Sequence, residues 1–273
     1  MAGINNVGLS SLNRATSGVS SSIKKISTGS NYPSASYGSS EYAISKRATS
    51  NIGAYDQSIR NTQNSNAMLN TASSAVNNTV ESLTTLRENI LNAMNGTNSS
   101  GDLGFIQKNI DQTISQINEN ASVTYNGQRL IDGSNSGTTV AGSFGYDMVQ
   151  FGNMTSQGLG LSDESGNASV NVADGTSSLS DALDTVDKAL DSALDQATSL
   201  GAAQQGLNYQ EANYTTASEN LTAAETQNDG LDIAAEVTKL KSSQTQQQLA
   251  LFGVQAHMNM MSSRASVVGL LGQ

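Results

Sequence analysis

The chain has 273 residues, enough for one large domain or two ordinary ones. Its formal net charge of −10 and pI near 4.4 argue against nucleic-acid or anionic-membrane partners, which need basic surfaces, and the absence of cysteine removes disulfide and thiol chemistry. Only 36% of the residues are hydrophobic and 13% charged, so Ser, Thr, Asn, Gln and Ala dominate; such a chain suits slim helices with thin cores and gains the missing burial by assembly.

Residues 4–29 carry the first helical pattern. Leu12, Val19 and Ile26 recur every seven residues, with Ala15 and Ser22 on the same face. Lys24 and Lys25 complement the helix dipole at its end, and Gly29 stands at a C-cap position. The stretch 30–40 holds Pro33, the single proline, and reads as a connection. A long helix from Glu41 to about Met94 is predicted by a seam of Ile52, Tyr55, Ile59, Leu69, Val76, Val80, Leu83, Leu86 and Ile90, diluted by Thr62, Asn66 and Ser73. Residues 95–101 stop it. The next helix, with Ile106, Ile110, Thr113 and Ile117 on one side, returns as an antiparallel neighbour.

The middle changes character. Tyr125-Asn126-Gly127-Gln128 and Asp132-Gly133 are turn signals, and the spacing predicts short β pieces at Val123–Tyr125, Thr138–Val140, Met148–Phe151 and Ser169–Val172. Helix resumes at Leu179. Leu183, Val186, Leu190, Ala193, Ala197 and Leu200 step by four and three, and the beat continues through Leu207, Tyr214 and Leu221. Asn228-Asp229-Gly230 marks a joint. The last stretch, 231–271, has the longest seam: Ile233, Val237, Leu240, Gln244, Gln247, Leu251, Val254, Met258, Met261, Ala265 and Val268. Gln244 and Gln247 form a polar layer of the kind that weakens a coiled coil while fixing its register. At 1.5 Å per residue this helix spans roughly 50–60 Å, and nothing inside it can cover such a stripe. A partner helix is required, from this chain, from other copies, or from both.

The fold class expected is mainly α: a long α-helical coiled-coil rod formed by pairing of N- and C-terminal segments, with a small central β-hairpin region. Residues 1–40 with 230–273 make an inner terminal coiled-coil domain. Residues 41–229 make a helical rod domain with a hairpin and loop insert at about 122–178.

Catalytic and metal chemistry finds no foothold, and no cofactor is expected. His257 is the one histidine, set among methionines on the last helix, and reads as a packing or boundary residue. Asp181, Asp184, Asp187, Asp191 and Asp195 have helical spacing, which suits a solvated face rather than a calcium loop. Met258, Met260 and Met261 read as adaptable packing. No run of 18 apolar residues spans a bilayer, and the first residues lack the charge and apolar core of a cleaved Sec-type signal.

Several pieces together resemble bacterial flagellin. Ile26-Ser27-Thr28-Gly29 is similar to the family's Leu-Ser-Ser-Gly, and Ala43-Ile44-Ser45-Lys46-Arg47 resembles its helix restart. Leu86-Arg87-Glu88 and Asn98-Ser99-Ser100-Gly101-Asp102-Leu103 fall where the family turns its long helix. Residues 125–133 resemble Phe-Asn-Gly-x-x-Leu-Leu-x-Gly, and Leu200-Gly201-Ala202-Ala203-Gln204 resembles Leu-Gly-Ala-x-Gln. Asp232-Ile233-Ala234-Ala235-Glu236-Val237 and Gln246-Gln247-Gln248 are similar to its last helix. The chain departs from the family at Tyr37-Gly38 (an acidic pair there), at Thr226-Gln227-Asn228 (Ser-Arg-Ile there) and at Gly206 (arginine there).

The resemblance implies a subunit that polymerises into the motility filament, with paired termini lining its channel. It implies uncleaved export through the flagellar type III apparatus, a cytosolic export chaperone on the C-terminal helix, and hook-associated and cap proteins as further partners. A hook–filament junction protein of the same family is the alternative reading. At the site read by the innate receptor TLR5, Thr85 and Asn89 stand where the family has arginine and leucine, while Arg87 and Glu88 remain. Recognition by that receptor is therefore expected to be weak or absent.

Overall fold

The computed structural model describes residues 2–142, 145–163, 165–173 and 176–270, the side chains of 2–7, 146, 176–178 and 267–270 excepted. Helices α1 (Ala2–Thr28), α2 (Ser39–Ala93) and α3 (Ser100–Ala121) come first, with a 3₁₀ turn at Ala35–Tyr37 between α1 and α2. Two hairpins follow, β1 (Thr124–Tyr125) with β2 (Gln128–Arg129) and β3 (Gly137–Gly142) with β4 (Gly145–Gln150). Helices α4 (Thr176–Asp229) and α5 (Ile233–Leu270) complete the order. The helical class and the small hairpin region are those the periodicity predicts. By its contacts the chain divides into two compact units, residues 1–52 with 219–273 and residues 53–218.

In the unit 53–218, α2 buries Ser58, Thr62, Ser65, Leu69, Ala72, Val76, Thr79, Leu83, Leu86, Ile90 and Ala93, an unbroken alternation of four and three. Helix α4 answers with Leu179, Ala182, Val186, Ala189, Ala193, Leu200, Leu207 and Tyr214. The flanks set the antiparallel register. Ser218 Oγ donates to Asp56 (3.1 Å), Gln63 Nε2 to Glu211 (2.7 Å) and Gln204 Nε2 to Asn70 (3.0 Å). Each step of seven up α2 is thus matched by seven down α4. Amides and hydroxyls make most of these rungs, because the sequence offers few charges. Helix α3 begins with a capping box: Asp102 N–H donates to Ser99 Oγ and Ser99 N–H to the Asp102 carboxylate. Ser99 Oγ also donates to the Asp102 carboxylate (2.6 Å), and this bond, with the one from Ser99 N–H, holds the carboxyl below its ordinary range.

The hairpins and the loop after them belong to the same core, through Leu130, Ile131, Val140, Val149, Phe151, Leu161, Val170 and Val172. Asn126 and Gly127 both have positive φ, which gives β1–β2 its two-residue turn. Three expected β pieces lie in or against these strands. The fourth does not: Ser169–Val172 forms no strand. Ser169 N–H donates to the Leu161 carbonyl (2.9 Å), and beyond it the backbone meets a side chain: Val172 N–H donates to Gln107 Oε1 (2.7 Å) and Gln107 Nε2 donates to the Val170 carbonyl (3.1 Å). A glutamine amide presents N–H donors beside a carbonyl acceptor; here one N–H goes to Asp111 (2.8 Å), and the other N–H with the oxygen meets the Val170–Val172 backbone as a neighbouring strand would.

Candidate self-assembly site

In the unit formed by residues 1–52 and 219–273, α1 packs against α5. Leu12, Val19 and Ile26 lie half-buried, and Ala15 and Ser22 between them are buried. The approach is close because the residues are small: a Cβ on Gly8 would lie 3.4 Å from Val254 Cγ2, and one on Gly18 would lie 3.4 Å from Ser243 Cβ. Ser22 Oγ donates to Glu236 (2.6 Å), and Gln247 Nε2 donates to Thr16 Oγ1 (3.1 Å). The numbers rise on one helix as they fall on the other, so the pair is antiparallel.

The long seam of α5 divides within this pair. Val237, Leu240, Gln247 and Val254 are half-buried, together with Ser243, Ala250 and His257. Ile233, Gln244, Leu251, Met258, Met261 and Ala265 are exposed, and the Val268 side chain lies outside the described residues. Leu249, Phe252 and Met260, which the four-three pattern leaves out, are exposed as well, Phe252 at 70%. Between Leu249 and Met261 the helix is apolar nearly all round, a composition that belongs to a helix buried on several sides. That was the signal available for these three residues. One α1 covers one side only.

The joint beside this pair is polar and closed. Gly29 has φ +67° and its N–H donates to the Lys25 carbonyl, a left-handed C-cap. Ser30 and Gly230 then pair as an antiparallel bridge. The Asp229 carboxylate accepts from Ser30 Oγ (2.7 and 2.8 Å to its two oxygens), from Tyr32 N–H (2.8 Å) and from Ser45 Oγ (2.9 Å). Ser45 Oγ also lies 3.1 Å from Glu225, so two carboxylates compete for its one proton. Burial pushes the Asp229 carboxyl up, but the donors from Ser30, Tyr32, Ser45 and Asn31 outweigh it and hold it below the usual carboxylate range. Asn228-Asp229-Gly230 is legible in sequence as a joint; the buried carboxylate that organises it is not.

In the unit 53–218, Leu69, Val76, Leu83, Leu86, Ile90, Val186, Leu200 and Leu207 are buried. Tyr55, Ile59, Leu183 and Leu190 are half-buried there, as Ile52 is in the other unit. Arg87 forms an ion pair with Asp187 at 2.7 Å. Thr85 is exposed and its hydroxyl donates to the Glu81 carbonyl, Glu88 is exposed, and Asn89 is half-buried.

Two family models match the chain. The bacterial flagellin N-terminal helical region covers residues 3–136, and the bacterial flagellin C-terminal helical region covers residues 183–271. The chain belongs to the bacterial flagellin family. Among its relatives, the flagellar filament 33 kDa core protein of Treponema phagedenis is 28% identical over 240 residues, spanning 83% of this chain and 84% of that one. Flagellin FlaB2 of Treponema pallidum gives the same identity and coverage. Among solved structures, a putative flagellar hook-associated protein from Vibrio parahaemolyticus shares the fold, with a TM-score of 0.61 at 15% identity over 71% of this chain and all of that one. The two flagellin regions match the chain's two helical ends, α1 to α3 and most of α4 with α5. The residues between them, 137–182, hold β3, β4 and the loop tied to Gln107.

Proposed function

We propose that the chain is a structural subunit that polymerises into the bacterial flagellar filament, outside the cell. The observation that carries this is the uncovered side of α5, where Leu249, Leu251, Phe252, Met258, Met260 and Met261 stand exposed on a helix already paired on its other side. Burying one such side chain stabilises by about 1.5–3 kcal/mol, a gain available only when neighbouring subunits cover it. In this reading residues 1–40 with 230–273 form the inner coiled coil and residues 41–229 form the rod. Contacts that repeat without closing build an open helical tube.

The finer partners follow the same reading. The unpaired apolar side of α5 suits a chaperone that covers it before uncleaved export through the flagellar type III apparatus, and hook-associated and cap proteins bound the filament. Weak or absent recognition by TLR5 is supported by Thr85 and Asn89 and by Arg87, whose guanidinium is engaged by Asp187. No helix among the described residues is long and apolar enough to cross a membrane.

The fold shared with the hook-associated protein favours one other reading, a junction protein that caps a polymer without extending it. Electron microscopy of the purified chain, seeded with its own fragments, separates the two. Filaments that lengthen with added protein are expected. Seeds that gain a single layer and stop would indicate the junction protein, and no fibres at all would overturn both.

A further inference from the structure

The apolar part of the α1–α5 contact does not by itself fix how far one helix has slid along the other. No loop joins them; α2, α3 and α4 intervene. Their facing residues repeat by heptads, with the half-buried Leu12, Val19 and Ile26 on α1 and Leu240, Gln247 and Val254 on α5, and small residues such as Gly8, Ala15, Gly18, Ser243 and Ala250 between them. Surfaces of this kind repeat every seven residues, so a slide of one heptad returns similar contacts. Inside the pair Gln247 donates to Thr16 and the buried Glu236 accepts from Ser22, and neither hydroxyl recurs one heptad away, where Leu9 or Ile23 and Ala15 or Gly29 stand; each bond favours the observed register with a single donor.

The end of the pair holds more. Asp229, 7% exposed, gathers three donors from two places: Ser30 Oγ and Tyr32 N–H in the connection, and Ser45 Oγ on α2. Its own carbonyl accepts from Asn31 N–H (2.8 Å), and the Gly230 carbonyl accepts from Asn31 Nδ2 (2.7 Å). Two of these donors are backbone N–H groups whose positions along the chain cannot be exchanged. A slide of one heptad would take Ser30 Oγ and Tyr32 N–H away from a buried carboxylate and leave it Ser45 Oγ, and a buried charge short of partners is strongly disfavoured.

We propose that Asp229 is the positioning residue of assembly: by holding Ser30, Tyr32 and Ser45 it sets the register of α1 against α5, and so the pattern of apolar side chains offered to the next subunit. The inference rests on the filament reading and goes beyond it, because assembly alone does not require that one carboxylate choose the register.

The chain has no cysteine, so introduced pairs report cleanly. The distance of 3.4 Å from a Cβ on Gly18 to Ser243 Cβ is close to that of a disulfide, about 3.5–4.5 Å. Full-length chain carrying Gly18→Cys with Ser243→Cys is doped at low level into filaments of the unsubstituted chain and oxidised. Its neighbours lack thiols, so every disulfide is intramolecular. A second chain with Gly18→Cys and Ala250→Cys reports a one-heptad slide.

The first pair should cross-link at least about tenfold more than the second. Adding Asp229→Asn should lower the first at least about fivefold and raise the second. Ser30→Ala with Ser45→Ala should act in the same direction by less. Cross-linking of the first pair left unchanged by Asp229→Asn would overturn the proposal, as would exclusion of both variants from the filament. A parental chain that forms no filaments fails at an earlier step and indicts the filament reading instead.

Discussion

Many of the helical serines and threonines return their hydroxyl proton to the carbonyl four residues back. Ser58 does so to Ala54, Thr79 to Ala75 and Thr113 to Asn109. This local bond lets a hydroxyl-rich helix bury a face without stranding polar groups. Thr62 is an exception: fully buried on α2, its Oγ1 has no hydrogen-bond partner. Thr62→Val keeps the shape and removes the stranded hydroxyl, so stability should stay level or rise by up to about 1 kcal/mol. The midpoint of urea unfolding measures it, and a loss above about 1 kcal/mol would show that the hydroxyl is bound in solution. At this scale the sequence is least legible. Nothing in Asn228-Asp229-Gly230 says that its carboxylate will be buried under Ser30 and Ser45, because those partners are distant in the chain. The alanines of the core, Ala72, Ala182 and Ala189, are equally quiet, since alanine carries little weight in a periodicity of large apolar residues.

Among the elements, α2 and α4 were readable nearly end to end. Their seams use large residues at four-three spacing, and each helix is covered along that seam by the other. Helix α5 was readable as a helix but not as to what covers it. Leu240, Gln247 and Val254 turn toward α1, whereas Ile233, Leu251 and Met258 do not, and one seam cannot say which half meets which neighbour. Ser169–Val172 departs from the expected strand for a related reason: alternation marks an extended backbone, but a strand also needs a partner strand, and at Val170–Val172 the Gln107 side chain stands there instead. The exposed side of α5 carries the prediction at this scale. Leu249→Ser with Phe252→Ser changes side chains that are 65% and 70% exposed, so urea unfolding of the soluble chain should move by less than about 0.5 kcal/mol. The concentration needed to sustain filaments should rise at least about tenfold, because each lost burial weakens the intersubunit contact by more than 1.4 kcal/mol. Pelleting assays read the second quantity; unchanged pelleting would remove α5 from the subunit interface.

For the whole molecule the two ends of the chain and its middle stand in different positions. Residues 53–218 own a continuous core of leucine, isoleucine and valine reaching from Leu69 to Leu207. Among the described residues of the paired α1 and α5, Ala15 is the one buried apolar side chain, and Leu12, Val19, Ile26, Val237, Leu240 and Val254 are half-buried. A thin contact of that kind orders a long helix weakly on its own, since fixing each residue costs about 1–2 kcal/mol in backbone entropy. Protection of the ends is therefore expected to arrive with assembly, while protection of the middle precedes it. Amide hydrogen exchange compared between soluble chain and filament tests this most directly. Residues 233–266 should exchange at least about a hundredfold more slowly in the filament, with the α2 and α4 segments of 53–218 little changed. Equal protection of α5 in both states would contradict it.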